Sequence, residues 1–182
     1  MIQSRIDDAA HPVSRRLIGL DPVMGNSPRV LILGSMPGAK SLAAGQYYAH
    51  SGNAFWRIME ALDLATADVA YDVRTAQLTS AGIALWDSLQ SCERTSSLDS
   101  DIRVASEIGN DFVSFFSDHP TIQAVFFNGA KAERAFRRHA LPALQAAELQ
   151  IPLLERLPST SPAHAVSLTK KTKAWRVITE EL

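Results

Sequence analysis

Tyr47, Tyr48, His50, Asn53, Phe55 and Trp56 fall within ten positions of one another. Aromatic faces alternate there with amide and imidazole groups. That mixture suits a flat ligand with polar edges, such as a nucleobase. Just upstream, Val30-Leu31-Ile32-Leu33 has the length of a buried strand. Gly34 closes it, and Ser35, Met36, Pro37, Gly38 and Ser41 read as a turn too interrupted for regular structure. Ligands of open α/β sheets bind outside the carboxyl ends of the strands. The turn and the aromatic segment are therefore read as one candidate site.

Other residues join it by position. Asn128 ends a third apolar run, and a Ser-rich loop, Pro158-Ser159-Thr160-Ser161-Pro162-Ala163-His164, follows a fourth. Lys170, Lys171 and Lys173 come soon after that loop and could meet phosphates at its mouth. Each has a plainer reading: Asn53 as a helix cap, Asn128 as a turn residue, His164 as a surface histidine. Gly34-Ser35-Met36-Pro37-Gly38-Ala39-Lys40-Ser41 also approaches the phosphate-loop pattern, with Asp87 after a second strand as a magnesium partner. Ala39 replaces the required glycine, however, and Pro37 removes an N–H from a loop that works through such groups. No metal-ligand spacing and no nucleophile elbow occur.

Positioning these groups takes a sheet with one reactive edge. Short apolar runs predict strands at 29–33, 83–86, 122–127 and 152–157. Phe55, Ile58, Met59 and Leu62 recur at helical spacing after Asn53. Further helices are predicted over 72–80, 110–116 and 130–139, and from about 169. Residues 1–28 read as an irregular arm, and 88–97 as a long polar loop lining the same crevice. Lys131, Arg134, Arg137 and Arg138 read as a solvated face, and Trp86 and Trp175 as core. The repeated strand–helix order predicts an α/β fold, a mainly parallel sheet with helices on both faces, in a single domain over 1–182. The 182 residues are 46% hydrophobic and 20% charged, with a net charge of −1. That composition suits a globular protein whose nucleic-acid contacts, if any, use a local patch. No run has the length of a membrane span, the first residues lack a secretory pattern, and Cys92 is the one cysteine. A cytoplasmic protein is expected.

Taken together, Val30 to Pro37, Gln46 to His50, Asn53 to Trp56, Gly82 to Asp87, Phe126 to Gly129 and Leu157 to His164 resemble the uracil-DNA glycosylase superfamily. Within it, the branch acting on hypoxanthine (deoxyinosine) is the most similar. The resemblance implies a three-layer α/β/α sandwich around a four-stranded parallel sheet. It also implies a monomeric glycosylase without metal or cofactor that flips a deaminated nucleotide out of single- or double-stranded DNA and hydrolyses its N-glycosidic bond. On that reading Asn53, Asn128 and Ser35 are catalytic. Asn53 positions water or the departing base, and Asn128 reads the base edge with both amide groups. Tyr48 and Phe55 stack on the base, with Met36, Pro37 and His50 around it. Gly34, Ser159, Ser161, Pro162, Ala163, His164, Lys170 and Lys171 contact DNA. Many relatives carry Asp or Asn where Ser35 stands, and strong uracil excisers carry His-Pro-Ser-Pro where Ser159-Thr160-Ser161-Pro162 stands. These departures point to hypoxanthine ahead of uracil or xanthine. The alternatives are a catalytically weak DNA-binding module of the same fold and a nucleotide-binding phosphate-loop protein.

Overall fold

The computed structural model describes residues 15–182. In chain order it contains β1 (Arg15–Ile18), β2 (Val30–Gly34), α1 (Ala39–Ala44), α2 (Phe55–Ala61), α3 (Tyr71–Ser80), β3 (Ile83–Asp87) and β4 (Leu89–Arg94). Then come β5 (Ile108–Gly109), α4 (Phe112–Asp118), β6 (Ala124–Asn128), α5 (Ala130–His139), α6 (Leu141–Ala146), β7 (Leu153–Leu157) and α7 (Leu168–Trp175). The main sheet has the order β3-β2-β6-β7 and is parallel throughout, with Leu33 opposite both Trp86 and Phe127.

The apolar runs follow from burial on both faces. Side chains alternate across a strand. Val30, Ile32 and Phe126 pack with Phe55, Ile58, Met59, Leu78 and Trp175 on one side. Leu31, Leu33 and Phe127 pack with Phe112, Phe116, Ala132, Phe136 and Leu144 on the other. Helices α2, α3 and α7 thus form one outer layer, and α4, α5 and α6 the opposite one. This is the expected α/β/α sandwich.

Four local expectations change. The arm read as irregular contains β1, which pairs antiparallel with β4, Leu17 facing Cys92; residues 1–14 lie outside the described part. The loop read over 88–97 is a strand as far as Arg94, within a second sheet of order β1-β4-β5. Its serines hide a real inward face, since Leu89 and Cys92 are fully buried with Met36 and Ile102. The turn after β2 contains α1, because Pro37 and Gly38 precede the helix and Gly45 closes it. Helix α4 starts at Phe112, where Asp111 Oδ1 accepts from Ser114 N at 3.1 Å. Helix α5 has its predicted bounds. Its basic face is not all solvated: Lys131 pairs with the buried Glu107, which His139 Nε2 also meets at 2.9 Å. Trp175 is buried as expected. No helix among the described residues is long and apolar enough to cross a membrane.

Candidate active site

A cavity of about 420 Å³ opens at the carboxyl ends of β2, β3 and β6. That volume lies in the range of small-ligand sites, roughly 300–1,000 Å³. The chain leaves β2 toward β3 on one flank and returns to β6 on the other, so the crevice sits where the strand order reverses. Gly34, Ser35, Met36, Pro37, Tyr48 and His50 line it, with Asn53 and Asn128. Ser159, Ser161, Pro162, Ala163 and His164 complete the wall. Four segments distant in sequence are thereby brought together.

The floor is built by the β2–β3 register, which places Gly34 directly opposite Asp87. A Cβ at Gly34 would collide with Asp87 Oδ1 and stand 3.7 Å from the Tyr48 hydroxyl, so only glycine fits. The loop after β2 is fastened to the β3–β4 junction. Ser88 N donates to the Gly34 carbonyl at 2.8 Å and Leu89 N to that of Ser35 at 3.1 Å. The Arg94 guanidinium donates to the Pro37 carbonyl. Ser35 Oγ donates to Asp99 Oδ1 at 2.6 Å. Asp99 sits on an exposed turn but turns its carboxyl toward the cavity. Its pKa is raised by enclosure there, against the pull of the Ser35 hydrogen bond and of Arg94. Asp87 is 3% exposed, and its Oδ2 has no partner. Burial pushes its carboxyl up to about 8, with the Asp99 charge adding and Arg94 opposing. The Tyr48 hydroxyl is also buried and makes no well-formed hydrogen bond among the described residues, although the Asn128 side chain lies close beside it.

Tyr48 takes a left-handed backbone conformation (φ 56°), uncommon for a residue with a side chain and typical of functional loops. Its neighbours hold it there. Ala49 N donates to Ser41 Oγ at 3.2 Å, and the Tyr47 hydroxyl donates to the Leu20 and Asp21 carbonyls. The ring of Phe55 stacks under Tyr48 at 3.9 Å between centroids. Phe55 itself is fully buried and does not line the cavity. It cannot stack on a base as expected; it supports the ring that faces the cavity. Asn53 is half-buried before α2. Its Oδ1 accepts from Phe55 N at 3.0 Å, leaving Nδ2 without a protein partner. Asn53 is thus both the helix-end acceptor and a donor for the cavity. His50 Nδ1 accepts from Gly52 N at 2.9 Å.

The opposite wall is arranged differently. Asn128 Oδ1 accepts from Thr160 N, and its Nδ2 donates to Thr160 Oγ1, both at 2.8 Å. The two amide groups expected to read a base edge are thus engaged by the Ser-rich loop. Gly129 (φ 97°) admits the close approach of Ser159, whose Cβ would meet any side chain there. The Thr160 carbonyl accepts from Ala54 N at 2.9 Å, tying the loop to the start of α2. Lys171 is 3% exposed and its Nζ donates to the Ser161 carbonyl at 3.1 Å. Burial lowers its pKa, with Arg57 adding to the effect. Lys171 therefore braces the loop from behind and is not placed to meet a phosphate. Lys170 is exposed and lies outside the cavity wall. The phosphate-loop alternative fails at two points. Ala39 N–H goes to Ser97 Oγ at 3.1 Å, and Lys40 is exposed and away from the cavity.

Sequence reasoning passed over three groups. Asp87 has no assigned role in the reaction on the sequence reading, where it enters as a magnesium partner of the phosphate-loop alternative and as the end of the Gly82–Asp87 motif, although an acid ending a buried strand at the reactive edge is itself a signal. Asp99 lies in a Ser-rich stretch with no local pattern. Thr160 was visible only as part of the loop. The assembled cavity offers an aromatic face, a free amide and two carboxyl groups, with no lysine or arginine among its lining residues.

A family model described as the uracil DNA glycosylase superfamily matches residues 22–182. A hypoxanthine DNA glycosylase of Methanosarcina acetivorans is 35% identical over 115 residues, 63% of this chain and 72% of that protein. One of Methanosarcina barkeri is 34% identical over 117 residues, with the same coverage. The solution NMR structure of a Methanosarcina acetivorans protein described as a uracil DNA glycosylase superposes with a TM-score of 0.70. It is 28% identical and covers 90% of this chain and 99% of its own.

Proposed function

The chain belongs to the uracil DNA glycosylase superfamily and is a DNA glycosylase, and on that premise we propose that it excises hypoxanthine from DNA in base excision repair. The observation that carries this reading is Asn53, whose Nδ2 is left to a cavity of nucleobase size beside the Tyr48 ring. A donor fixed before the reaction stabilises charge that develops on the departing base without reorganising. The relatives at 35% and 34% identity bear the hypoxanthine name, which favours that base over uracil and xanthine.

In the proposed reaction the flipped nucleotide enters the cavity and its base lies against Tyr48. Ser35 has no basic group of its own, but its hydroxyl is held by the Asp99 carboxylate. The pair supplies the acceptor that directs water toward the anomeric carbon. Asn128 acts through Thr160, holding the Ser159–His164 loop where it can meet the DNA backbone. The protein acts as a monomer, without metal, in the cytoplasm.

The test is single-turnover incision with chelator present, on labelled oligonucleotides carrying hypoxanthine, uracil or xanthine. Rapid cleavage at hypoxanthine and little at uracil is expected. Dominant cleavage at uracil would overturn the base assignment. Binding without release of any base would return the chain to the DNA-binding module. Loss of activity in chelator would overturn the metal-free mechanism.

A further inference from the structure

The side chains of Asp87 and Tyr48 converge on Gly34, where a Cβ would collide with Asp87 Oδ1 and lie 3.7 Å from the Tyr48 hydroxyl; among the described residues neither Asp87 Oδ2 nor that hydroxyl makes a well-formed hydrogen bond. An unpaired buried carboxyl costs about 1–3 kcal/mol or more. The fold retains this one at the cavity floor, where the strand register forces it against Gly34. A group kept unsatisfied at the bottom of a binding cavity is free to serve what enters it. We propose that Asp87, in its protonated form, is the acid that delivers a proton to the departing base. The inference rests on the excision reading given above and deepens it.

The Asp87 O–H bond breaks and its proton passes to a ring nitrogen of the base. The electron pair of the C1′–N bond goes to the base, which leaves neutral. Water adds its oxygen to C1′, and its proton passes through the Asp99 carboxylate to solvent. Asp87 then takes a proton back from solvent. The Tyr48 hydroxyl offers a second donor to the same base.

The surroundings of Asp87 keep the acid form at neutral pH. Asp99 faces it from the turn after β4, and Tyr47 and Tyr48 face it from the segment after α1; none of them favours a second negative charge. Arg94 of β4 is the one cation acting on it; its Nη2 donates to the Pro37 carbonyl, while Nε and Nη1 are buried without a hydrogen bond among the described residues. Asn110, before α4, donates to the Asp87 backbone carbonyl and not to its side chain. Lys131 and Arg134 of α5 act on Asp99 instead. Burial dominates and holds the carboxyl near 8. Two carboxyl groups in different surroundings can then divide acid and acceptor roles.

The test is the pH profile of single-turnover hypoxanthine release, with saturating full-length protein, for wild type and Asp87→Asn. The wild-type rate constant should be level near pH 7 and fall about tenfold per pH unit above the point where Asp87 ionises. Asp87→Asn should be roughly 100-fold slower at pH 7, the usual scale of acid catalysis, and should lack the alkaline fall. A purely structural role would lower the rate but leave the alkaline limb in place. A variant within threefold of wild type, or one that keeps the limb, overturns the proposal while the excision reading stands. Should Asp87→Asn fail to fold, a wild-type profile that stays level to pH 10 overturns it. No release of any base by wild type overturns the excision reading itself.

Discussion

The two walls of the cavity use their polar groups in opposite ways. On the β6–β7 side, Asn128, Thr160, Ser161 and Lys171 all bond to one another or to the backbone between them. On the β2–β3 side, Asp87 Oδ2 and the Tyr48 hydroxyl make no well-formed hydrogen bond among the described residues, and Asn53 keeps one amide group free. Buried polar groups are nearly always satisfied, so the first wall is ordinary protein interior brought to an edge. The second is not. The contrast fits the proposed division of positioning and chemistry: both amide groups of Asn128 are engaged by the Ser-rich loop, while Asn53 keeps its Nδ2 toward the cavity.

Substitutions on the two sides should therefore separate rate from stability. Asn53→Ala should lower single-turnover excision by roughly 10²–10³-fold, the loss typical of one preorganised donor. It should cost about 1 kcal/mol of stability for the lost Phe55 acceptor, readable by urea denaturation. Equal rates in the two proteins would end its catalytic assignment. Asn128→Ala should do the reverse in order of severity. It strands two groups of Thr160 and should destabilise by about 2–3 kcal/mol, with activity falling as the loop loosens. An unchanged denaturation midpoint would break the comparison. Asp87→Asn sharpens it through the pH dependence of stability. The folded Asp87 carboxyl titrates at about 8, above an unfolded value of about 3.9. The folded state thus holds the proton more tightly, and this contribution, full below about pH 4, is lost as pH rises through 8. The variant removes that ionisation. It should match wild type near pH 4 and exceed it at pH 9. Thermal melts at the two pH values check this, and a variant less stable at pH 9 would refute it.

The main sheet was legible because strands covered on both faces leave unbroken apolar runs, as in Val30–Leu33 and Ala124–Phe127. Helix α5 was legible because Ala132, Ala135 and Phe136 make a clean inward stripe. The second sheet was not: β1 is four residues long, and β4 mixes the polar Gln90, Ser91 and Glu93 with its buried Leu89 and Cys92. At the site, the motif loops and Asn53 could be located from residue type and strand ends. Phe55 and Lys171 were misplaced because sequence gives the type of a side chain and not its direction. Asp99 reaches Ser35 across 64 positions, and nothing local announces such a contact.

The Ser-rich loop is held from three elements at once: by Asn128 at the end of β6, by Ala54 at the start of α2, and by Lys171 and Trp175 of α7, the latter donating from Nε1 to the Pro158 carbonyl at 2.9 Å. On the proposed reading of it as a DNA contact, a segment so tied has little disorder left to surrender on binding. The work of unstacking a base, a few kcal/mol, then falls on contact energy alone, with no further penalty for freezing the loop. Recognition on this side should behave as a rigid wedge, with association governed by how often the DNA itself opens.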